Sequence, residues 1–301
     1  MALPRETPPP PAPAGRAARA GAAPADPARP TPDELALLSG FERLAFRLCA
    51  EANHRPALKR AGHAYLRQVG ARFVYACLGN RMRIDGLEAV RRLAPDRGVV
   101  LASNHRSFFD LYAIACVLMR ERVPWVERMY FPVRSNYFYD RPDGVLLNAA
   151  IAALSMYPPV MRDAGRRPFN QFATRLLGGL LREPGTLVGI HPEGRRNRDP
   201  DPYALLPAQP GVGQMVHEAR PIVLPVFLRG LTNDFLGQTW QNVTHRGEPL
   251  TIVFGEPLAF GSALEGPARL RTYKRLADEV LAAIAALGER ERAFRAGLAK
   301  G

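Results

Sequence analysis

One histidine and one aspartate lie in a short segment that could perform acid–base chemistry. Residues 104–110 read Asn-His-Arg-Ser-Phe-Phe-Asp, which places His105 five positions before Asp110. An apolar run at 99–103 directly precedes this segment, and a helical pattern at about 107–120 overlaps its end. This order predicts that His105 lies just before a helix and Asp110 about one turn inside it, where the carboxylate can fold back toward the imidazole.

A neutral imidazole in this setting can take the proton of a hydroxyl group that attacks a carbonyl carbon. The carboxylate would fix the tautomer of the ring and stabilise the imidazolium ion that forms. The positive end of the helix disfavours a charged His105 whereas Asp110 favours it, and the sequence does not decide between the two. The two residues could also simply cap the helix, because an H-x-x-x-x-D spacing alone arises by chance.

A second segment combines a tight loop with a cluster of arginines. Residues 191–198 read His-Pro-Glu-Gly-Arg-Arg-Asn-Arg and follow the apolar run 187–190. Pro192 and Gly194 predict the loop, and each guanidinium group offers a planar set of donors that matches a phosphate group. Glu193 could pair with these arginines or contact a substrate hydroxyl. The segment could also be a solvated basic loop.

The pattern after residue 80 predicts an α/β fold, because short apolar runs alternate with helical stretches. The predicted strands are 81–85, 99–103, 157–160, 187–190, 222–227 and 251–254, and the predicted helices are about 107–120, 168–182, 211–219 and 264–287. Runs that are apolar throughout are typical of parallel strands buried on both faces. We therefore expect a mostly parallel central sheet flanked by helices. Functional groups gather at the carboxyl ends of such strands, so both segments should lie at one edge of the sheet.

The N-terminal part divides into a tail and a helical region. Residues 1–30 are dominated by Pro, Ala, Gly and Arg, and we expect them to be disordered. Thr31 and Glu34 form a predicted capping box that starts an amphipathic helix, and a second amphipathic helix spans about 56–78. This pair could be a membrane anchor or could pack on the main domain. The predicted domains are the tail 1–30, the helical pair 31–79 and the α/β domain 80–301.

Composition restricts the kinds of partner and the cellular location that we expect. The chain has 301 residues and a formal net charge of +13, which suits an anionic partner such as nucleic acid or an acidic membrane surface, although a soluble basic protein has the same balance. Its three cysteines lack metal-ligand spacing and predict buried free thiols in a reducing compartment. No secretory signal pattern begins the sequence, and no apolar stretch reaches the roughly 18–20 residues that span a bilayer. We expect a cytoplasmic protein that is peripheral on the inner face of an anionic membrane.

The two segments together resemble the glycerophospholipid acyltransferase family, whose motifs include N-H-x-x-x-x-D and F-P-E-G-T-R. The matching positions are Asn104, His105 and Asp110 in the first motif and Pro192, Glu193, Gly194 and Arg196 in the other. Arg162, after the run 157–161, stands where that family carries an arginine, and the run 222–226 resembles a fourth motif. The likeness covers about residues 80–260.

The resemblance implies transfer of a fatty acyl group from a thioester, either acyl-CoA or acyl carrier protein, to the hydroxyl of a lysophospholipid such as 1-acylglycerol-3-phosphate. This reaction belongs to phospholipid biosynthesis or remodelling and proceeds without an acyl-enzyme, so Ser107 would not be a nucleophile. His105 would be the general base and Asp110 its orienter. The residues expected to bind substrate are Asn104, Arg162, Glu193, Gly194, Arg195 and Arg196. No metal and no cofactor beyond the thioester co-substrate is implied.

Three departures from the family pattern concern the acceptor. His191 replaces the usual Phe, Arg195 replaces a small residue, and Met161 precedes Arg162 where Asp or Asn is common. These positions belong to acceptor-binding motifs and not to the base–orienter pair. An amine, a sugar or another non-glycerol acceptor therefore remains an alternative within the same family.

Two other function classes find less support in the sequence. A metal-dependent hydrolase could use His105, Asp110 and Glu193 as ligands, but only one candidate imidazole is evident and no H-E-x-x-H spacing occurs. A nucleic-acid-binding module would suit the charge, but the chain has no zinc-finger spacing and no aromatic RNA-binding motif. We therefore expect no nucleic acid among the partners.

Overall fold

The computed structural model describes residues 29–298, so the predicted disorder of residues 1–28 lies outside the described residues. The helices are α1 (Pro32–Ala36), α2 (Gly40–His54), α3 (Pro56–Tyr65), α4 (Ala71–Leu78), α5 (Leu87–Arg92), α6 (Asp110–Arg120), α7 (Ser135–Phe138), α8 (Pro142–Ala152), α9 (Phe169–Leu180), α10 (Pro210–Ala219), α11 (Phe235–Val243) and α12 (Leu270–Leu298). The strands are β1 (Met82–Asp85), β2 (Val99–Ser103), β3 (Arg128–Tyr130), β4 (Val133–Arg134), β5 (Pro159–Val160), β6 (Thr186–Ile190), β7 (Ile222–Arg229) and β8 (Leu250–Phe254).

The central sheet has six strands in the order β1-β8-β7-β2-β6-β3. Every neighbouring pair is parallel except β7 and β8, which run antiparallel. Strands β2 and β6 are fully buried, because helices cover the sheet and their sequences are apolar along both faces. The predicted mixed α/β fold with a mostly parallel sheet is confirmed.

One predicted strand was wrong in length and place. Only Pro159–Val160 of the expected strand 157–160 is extended, and it pairs with Val133–Arg134 in a separate two-stranded sheet. Pro158 and Pro159 have no backbone N–H group to donate, so this segment cannot form the continuous ladder of a central strand. The sequence pattern also missed the short strand β3 at the edge of the main sheet.

The N-terminal helical region begins with the predicted capping box at Thr31 and Glu34. The expected single helix is two helices, since Ser39 and Glu42 form a second capping box that starts α2. The predicted helix 56–78 runs through α3, a π-helical turn at Leu66–Gly70 and α4. A π-helical turn closes hydrogen bonds to residue i+5, so the chain stays helical across it.

The N-terminal helices pack on the α/β domain through apolar and polar contacts. The buried ring of Phe46 contacts the rings of Tyr157, Phe169 and Phe172. The Lys59 ammonium group is buried and donates hydrogen bonds to Met129 O and to the side chains of Asn53 and Ser155. These contacts favour the packed arrangement for one flank of the pair, while the other flank stays exposed.

The C-terminal helix α12 runs from Leu270 to Leu298, later in start and end than the predicted 264–287. It crosses α10 at close range, since a Cβ atom at Gly213 would lie 1.7 Å from Tyr273 O. Cys49, Cys77 and Cys116 are buried free thiols, as predicted. Within residues 29–298, no helix has the length and apolar character that crossing a bilayer requires.

Candidate active site

The two chemically interesting segments meet at one edge of the central sheet. Strands β2 and β6 are parallel neighbours, with Ala102 paired to Ile190. Residues 104–110 and 191–198 each continue from the carboxyl end of one of these strands. The shared edge that the sequence predicted is therefore confirmed by the strand register.

His105 and Asp110 form a hydrogen-bonded pair. The His105 Nδ1 atom lies 3.1 Å from Asp110 Oδ2, and the same oxygen accepts the backbone N–H groups of Arg106 and Ser107 at 2.7 and 2.8 Å. Asp110 is the first residue of α6 and not one turn inside it, because the helix starts later than predicted. A carboxylate on Nδ1 leaves Nε2 as the basic nitrogen of the imidazole.

The surroundings set the charges of this pair. Burial, together with the positive charges of Arg196 and Arg134, lowers the pKa of His105 to about 4. Burial raises the pKa of Asp110 to about 6, against the effect of His191 and of its own backbone hydrogen bonds. Near neutral pH the pair is therefore a neutral imidazole beside a carboxylate, which is the state of a general base with its orienter.

The second loop holds the backbone of His105 on both sides. Glu193 Oε1 accepts the N–H of His105 at 2.8 Å, and the N–H of Asn197 donates to His105 O at 2.7 Å. The other oxygen of Glu193 accepts the N–H of Leu206 at 2.8 Å. Both carboxylate oxygens of this buried residue are thus occupied by the protein, an arrangement that does not favour the predicted contact between Glu193 and substrate.

Asn104 and Gly194 also act on the backbone. The amide of Asn104 donates to Leu228 O and accepts Leu228 N–H, both at 2.8 Å, so its side chain joins β2 to β7 and is buried. This contact does not favour a substrate-binding role for Asn104. Gly194 adopts a φ of +66°, a left-handed conformation that suits glycine, and its N–H donates to His191 O to close the loop.

The His105 ring borders a cavity of about 590 Å³. One part of the wall is apolar and comprises Phe108, Leu111, Phe131, Tyr137, Phe138 and Met156. The other part is basic and comprises Arg134, Arg195, Arg196 and Arg198. Such a cavity can hold an amphipathic ligand with an apolar chain at one end and an anionic group at the other.

None of these four arginines makes a hydrogen bond or an ion pair with another side chain in residues 29–298. Elsewhere in the chain several arginines are paired with acids, for example Arg166 with Glu42 and Arg175 with Glu34. Unpaired guanidinium groups in one concave wall attract an anion, and a phosphate group matches their geometry.

Arg162 lies beside this wall rather than in it. Its guanidinium group donates a hydrogen bond to Gly194 O, and it lines an adjoining cavity of about 190 Å³. Arg134 borders both cavities. The structure thus brings Arg162, Arg195 and Arg196 to one region, whereas their binding of substrate remains a prediction.

A second imidazole lies against the first, which the sequence did not predict. The rings of His105 and His191 are stacked with centroids 3.7 Å apart and planes 6° from parallel. His105, Asp110 and His191 could each offer a ligand atom, and these atoms lie within 4.8 Å of one another. The lone pairs of stacked imidazoles run parallel and do not converge on one point, so this geometry does not favour a shared metal ion.

Other residues of the site carried no signal that the sequence pattern could reveal. Arg134 and three residues of the apolar wall, Phe131, Tyr137 and Phe138, come from the segment 131–138, which contains a two-residue strand and a single helical turn. Asn197 belongs to the basic segment, but its backbone contact to His105 depends on the fold of the loop.

Part of the chain matches a known protein family. The family model described as Acyltransferase matches residues 81–229, a span that contains both loops and Arg162. No curated protein matches the chain. The match is consistent with the resemblance drawn from the motifs, and residues 81–229 of the chain form an acyltransferase-family domain.

Proposed function

We propose that the protein transfers a fatty acyl group from acyl-CoA or acyl carrier protein to the hydroxyl of a lysophospholipid such as 1-acylglycerol-3-phosphate, in phospholipid biosynthesis or remodelling. The observation that carries this proposal is the base–orienter pair at a cavity that is apolar in one part and lined by four unpaired arginines in another. A lysophospholipid has an acyl chain, a free hydroxyl and a phosphate, and these match the apolar wall, His105 and the arginines.

The reaction needs only a base that later returns its proton. His105 Nε2 takes the proton of the acceptor hydroxyl as its oxygen attacks the thioester carbonyl carbon. The tetrahedral intermediate then collapses, the carbon–sulfur bond breaks, and the imidazolium ion returns the proton to the thiolate. The products are the ester and the free thiol. The charges of Arg196 and Arg134, which lower the pKa of His105, also favour the negative carbonyl oxygen of the intermediate.

Product analysis tests this function. Purified protein is incubated with acyl-CoA or acyl carrier protein and a panel of lysolipids, and products are identified by mass spectrometry. We expect a new ester on the lysolipid in step with release of one thiol. Release of thiol and free fatty acid without an ester would indicate a hydrolase. Acylation of an amine or sugar, but of no lysophospholipid, would support the non-glycerol alternative, whose head group could occupy the cavity beside Arg162.

Replacement of Arg196 by alanine should weaken acceptor binding. A charge-assisted hydrogen bond to phosphate contributes about 1.5–3 kcal/mol, so we expect the acceptor KM to rise roughly 10–100-fold with a smaller change in the donor KM. Arg182→Ala is the matched control, because this exposed arginine follows Leu181, whose carbonyl contacts Gly98 at the opposite edge of the sheet. Equal acceptor KM values for the two variants would contradict phosphate recognition by Arg196.

An exposed apolar surface supports the proposal that the protein is peripheral on the inner face of an anionic membrane. We call it the α4–α11 surface; its exposed members are Tyr65, Val69 and Phe73 on the α3–α4 helical run and Leu236, Trp240 and Val243 on α11. Leu236 is 83% exposed and Trp240 69%. Contiguous apolar surface of this kind is typical of sites that bind a partner or a membrane.

This surface is next to the active-site cavity and is basic at its borders. The Phe73 ring stacks on Phe235 at 5.9 Å, and Phe235 contacts Phe109, the neighbour of Phe108 in the cavity wall. Residues 56–84 contain no Asp or Glu, and their exposed basic residues are Arg60, Arg67, Arg72 and Arg83. Basic residues around apolar side chains favour an anionic lipid surface, from which a lysophospholipid could reach the cavity.

The double variant Phe73→Ser/Trp240→Ser should bind lipid vesicles more weakly. Each lost aromatic group removes apolar area from the membrane contact, and we expect at least a roughly 10-fold loss of affinity for vesicles of phosphatidylglycerol and phosphatidylcholine in a sedimentation assay. Leu270→Ser is the control, since Leu270 is also exposed but begins α12, away from this surface. Unchanged vesicle binding by the double variant would rule out this surface as the membrane contact.

A further inference from the structure

His191 stacks on the imidazole of His105, but the proposed reaction gives His191 no role. His191 is the first residue after β6, and its ring lies face to face with His105 at a centroid distance of 3.7 Å. The ring planes differ by only 6°, so the two π systems overlap along their faces rather than meeting at an edge. The His105 ring therefore cannot tilt toward His191 without overlapping it, and tilting away breaks the contact.

The His191 ring is itself fixed by the strand beneath it. Its Nδ1 atom lies 3.1 Å from Ser103 O and 3.2 Å from Ser103 Oγ, at the carboxyl end of β2. The carbonyl oxygen can only accept, so His191 carries its proton on Nδ1 and donates it to Ser103. Burial, followed by the neighbouring His105, lowers the pKa of His191 to about 3, which keeps this ring neutral. A neutral ring with a fixed plane thus supports the ring of the base.

We propose that His191 is a positioning residue, which holds the ring of His105 in its reactive orientation and stabilises the His105 imidazolium ion by stacking. This inference rests on the proposed function, in which His105 becomes positively charged during transfer. Asp110 acts on the edge of the His105 ring through Nδ1, whereas His191 acts on its face. The two residues together restrict both the rotation and the tilt of the imidazole.

The contribution should be larger in the transition state than in the resting enzyme. A cation over the face of a neutral aromatic ring is attracted by the ring's electron distribution, and this attraction is stronger when water is excluded. The resting His105 is neutral and gains only the weaker contact between two neutral rings. An interaction that strengthens as the charge forms raises kcat and leaves substrate binding nearly unchanged.

Substitutions at position 191 can separate the effect of the aromatic face of His191 from the effect of its basic nitrogens. Phenylalanine retains a planar ring but has no nitrogen that can carry a proton. Leucine and methionine fill similar volume without a ring. Ser103 Oγ keeps a second acceptor in Asn104 O at 3.2 Å, so loss of the His191 contact does not leave that hydroxyl without a partner.

The test compares kcat and both KM values for wild type, His191→Phe, His191→Leu and His191→Met, with thermal unfolding measured for each. We expect His191→Phe to keep kcat within about 3-fold of wild type. We expect the leucine and methionine variants to lose about 10-fold in kcat, with both KM values within about 2-fold. The methionine variant replaces the leucine variant if leucine prevents folding.

Two outcomes would overturn the proposal. Leucine and methionine variants with the kcat of the phenylalanine variant would show that the ring face is unimportant. A phenylalanine variant as slow as the other two would show that His191 acts through its ring nitrogens, including the Nδ1–H bond to Ser103, and not through its aromatic face. In both cases the proposed function still stands if the wild-type protein transfers the acyl group. A wild type that transfers no acyl group would overturn the proposed function and this inference together.

Discussion

Alanine in place of His105 is expected to abolish acyl transfer while the protein stays folded. General-base catalysis by a positioned side chain contributes about 10²–10⁴-fold, and the variant should lose at least that factor in kcat. The fold should survive, because Glu193 and Asn197 hold the backbone N–H and C=O of residue 105 and alanine keeps both groups. The measurement is thiol release and ester formation at saturating substrates, with circular dichroism and thermal unfolding to confirm the fold.

Two further variants make this result specific to the imidazole. His105→Gln keeps a polar group that can bond to Asp110 but removes the basic nitrogen, so it should be as inactive as His105→Ala. Ser107→Ala should stay active, because the buried Ser107 hydroxyl donates to Thr232 O and is not needed as a nucleophile in direct transfer. Near-wild-type transfer by either His105 variant would remove the base assignment, and an inactive, folded Ser107→Ala would point to an acyl-enzyme.

The strands that carry the site could be predicted because their composition is dictated by burial. Strands β2 and β6 are buried along their whole length, so their residues are mostly apolar on both faces and stand out against the neighbouring loops. The placement of both loops at one sheet edge then follows from parallel pairing. The three-residue strand β3 could not be found in this way, because it is too short to show a periodic pattern.

The roles of individual site residues depended on contacts that spacing does not encode. Asn104 and Glu193 belong to motif positions and were expected to bind substrate, yet both are occupied by backbone groups of Leu228, His105 and Leu206. A buried amide or carboxylate must be satisfied locally, and only the folded loop determines which groups are close enough. The same holds for the stacking of His191 on His105, which needs β2 and β6 to be neighbours.

The exposed apolar residues of the N-terminal helices show a different limit of prediction from sequence. The sequence predicted one amphipathic helix that starts at Thr31 and another over about 56–78, and the structure is helical in both regions, with two helices in the first. Periodicity could not decide between packing and membrane contact, because the same helices use both flanks. Phe46 is buried in the domain, whereas Phe73 is 54% exposed beside Phe235. Only the arrangement of α4 next to α11 shows that the exposed flank continues across another helix.

Asparagine in place of Asp110 should reduce turnover by about 10²–10⁴-fold without unfolding the protein. The amide oxygen can replace Oδ2 and accept the N–H groups of Arg106 and Ser107, while the amide nitrogen replaces Oδ1, which has no hydrogen-bond partner among the described residues. The variant loses the negative charge that stabilises the imidazolium ion, whereas its amide oxygen still accepts the Nδ1–H group of His105. A variant with more than about a tenth of wild-type kcat would contradict the orienter role.

The pH dependence of the same pair gives an independent test. Burial raises the pKa of Asp110 to about 6, so the carboxylate is ionised above this pH and takes a proton below it. Wild-type turnover should therefore fall as the pH decreases through about 6, and Asp110→Asn should be uniformly slow without this step.

A phosphodiester lysolipid is the acceptor of choice, because a phosphomonoester itself titrates at about 6. Thermal unfolding over the same pH range separates protonation from loss of structure. If the step near pH 6 persists in Asp110→Asn with this acceptor, a group other than Asp110 controls the activity, and His105 is not that group, because its pKa of about 4 would place the step lower.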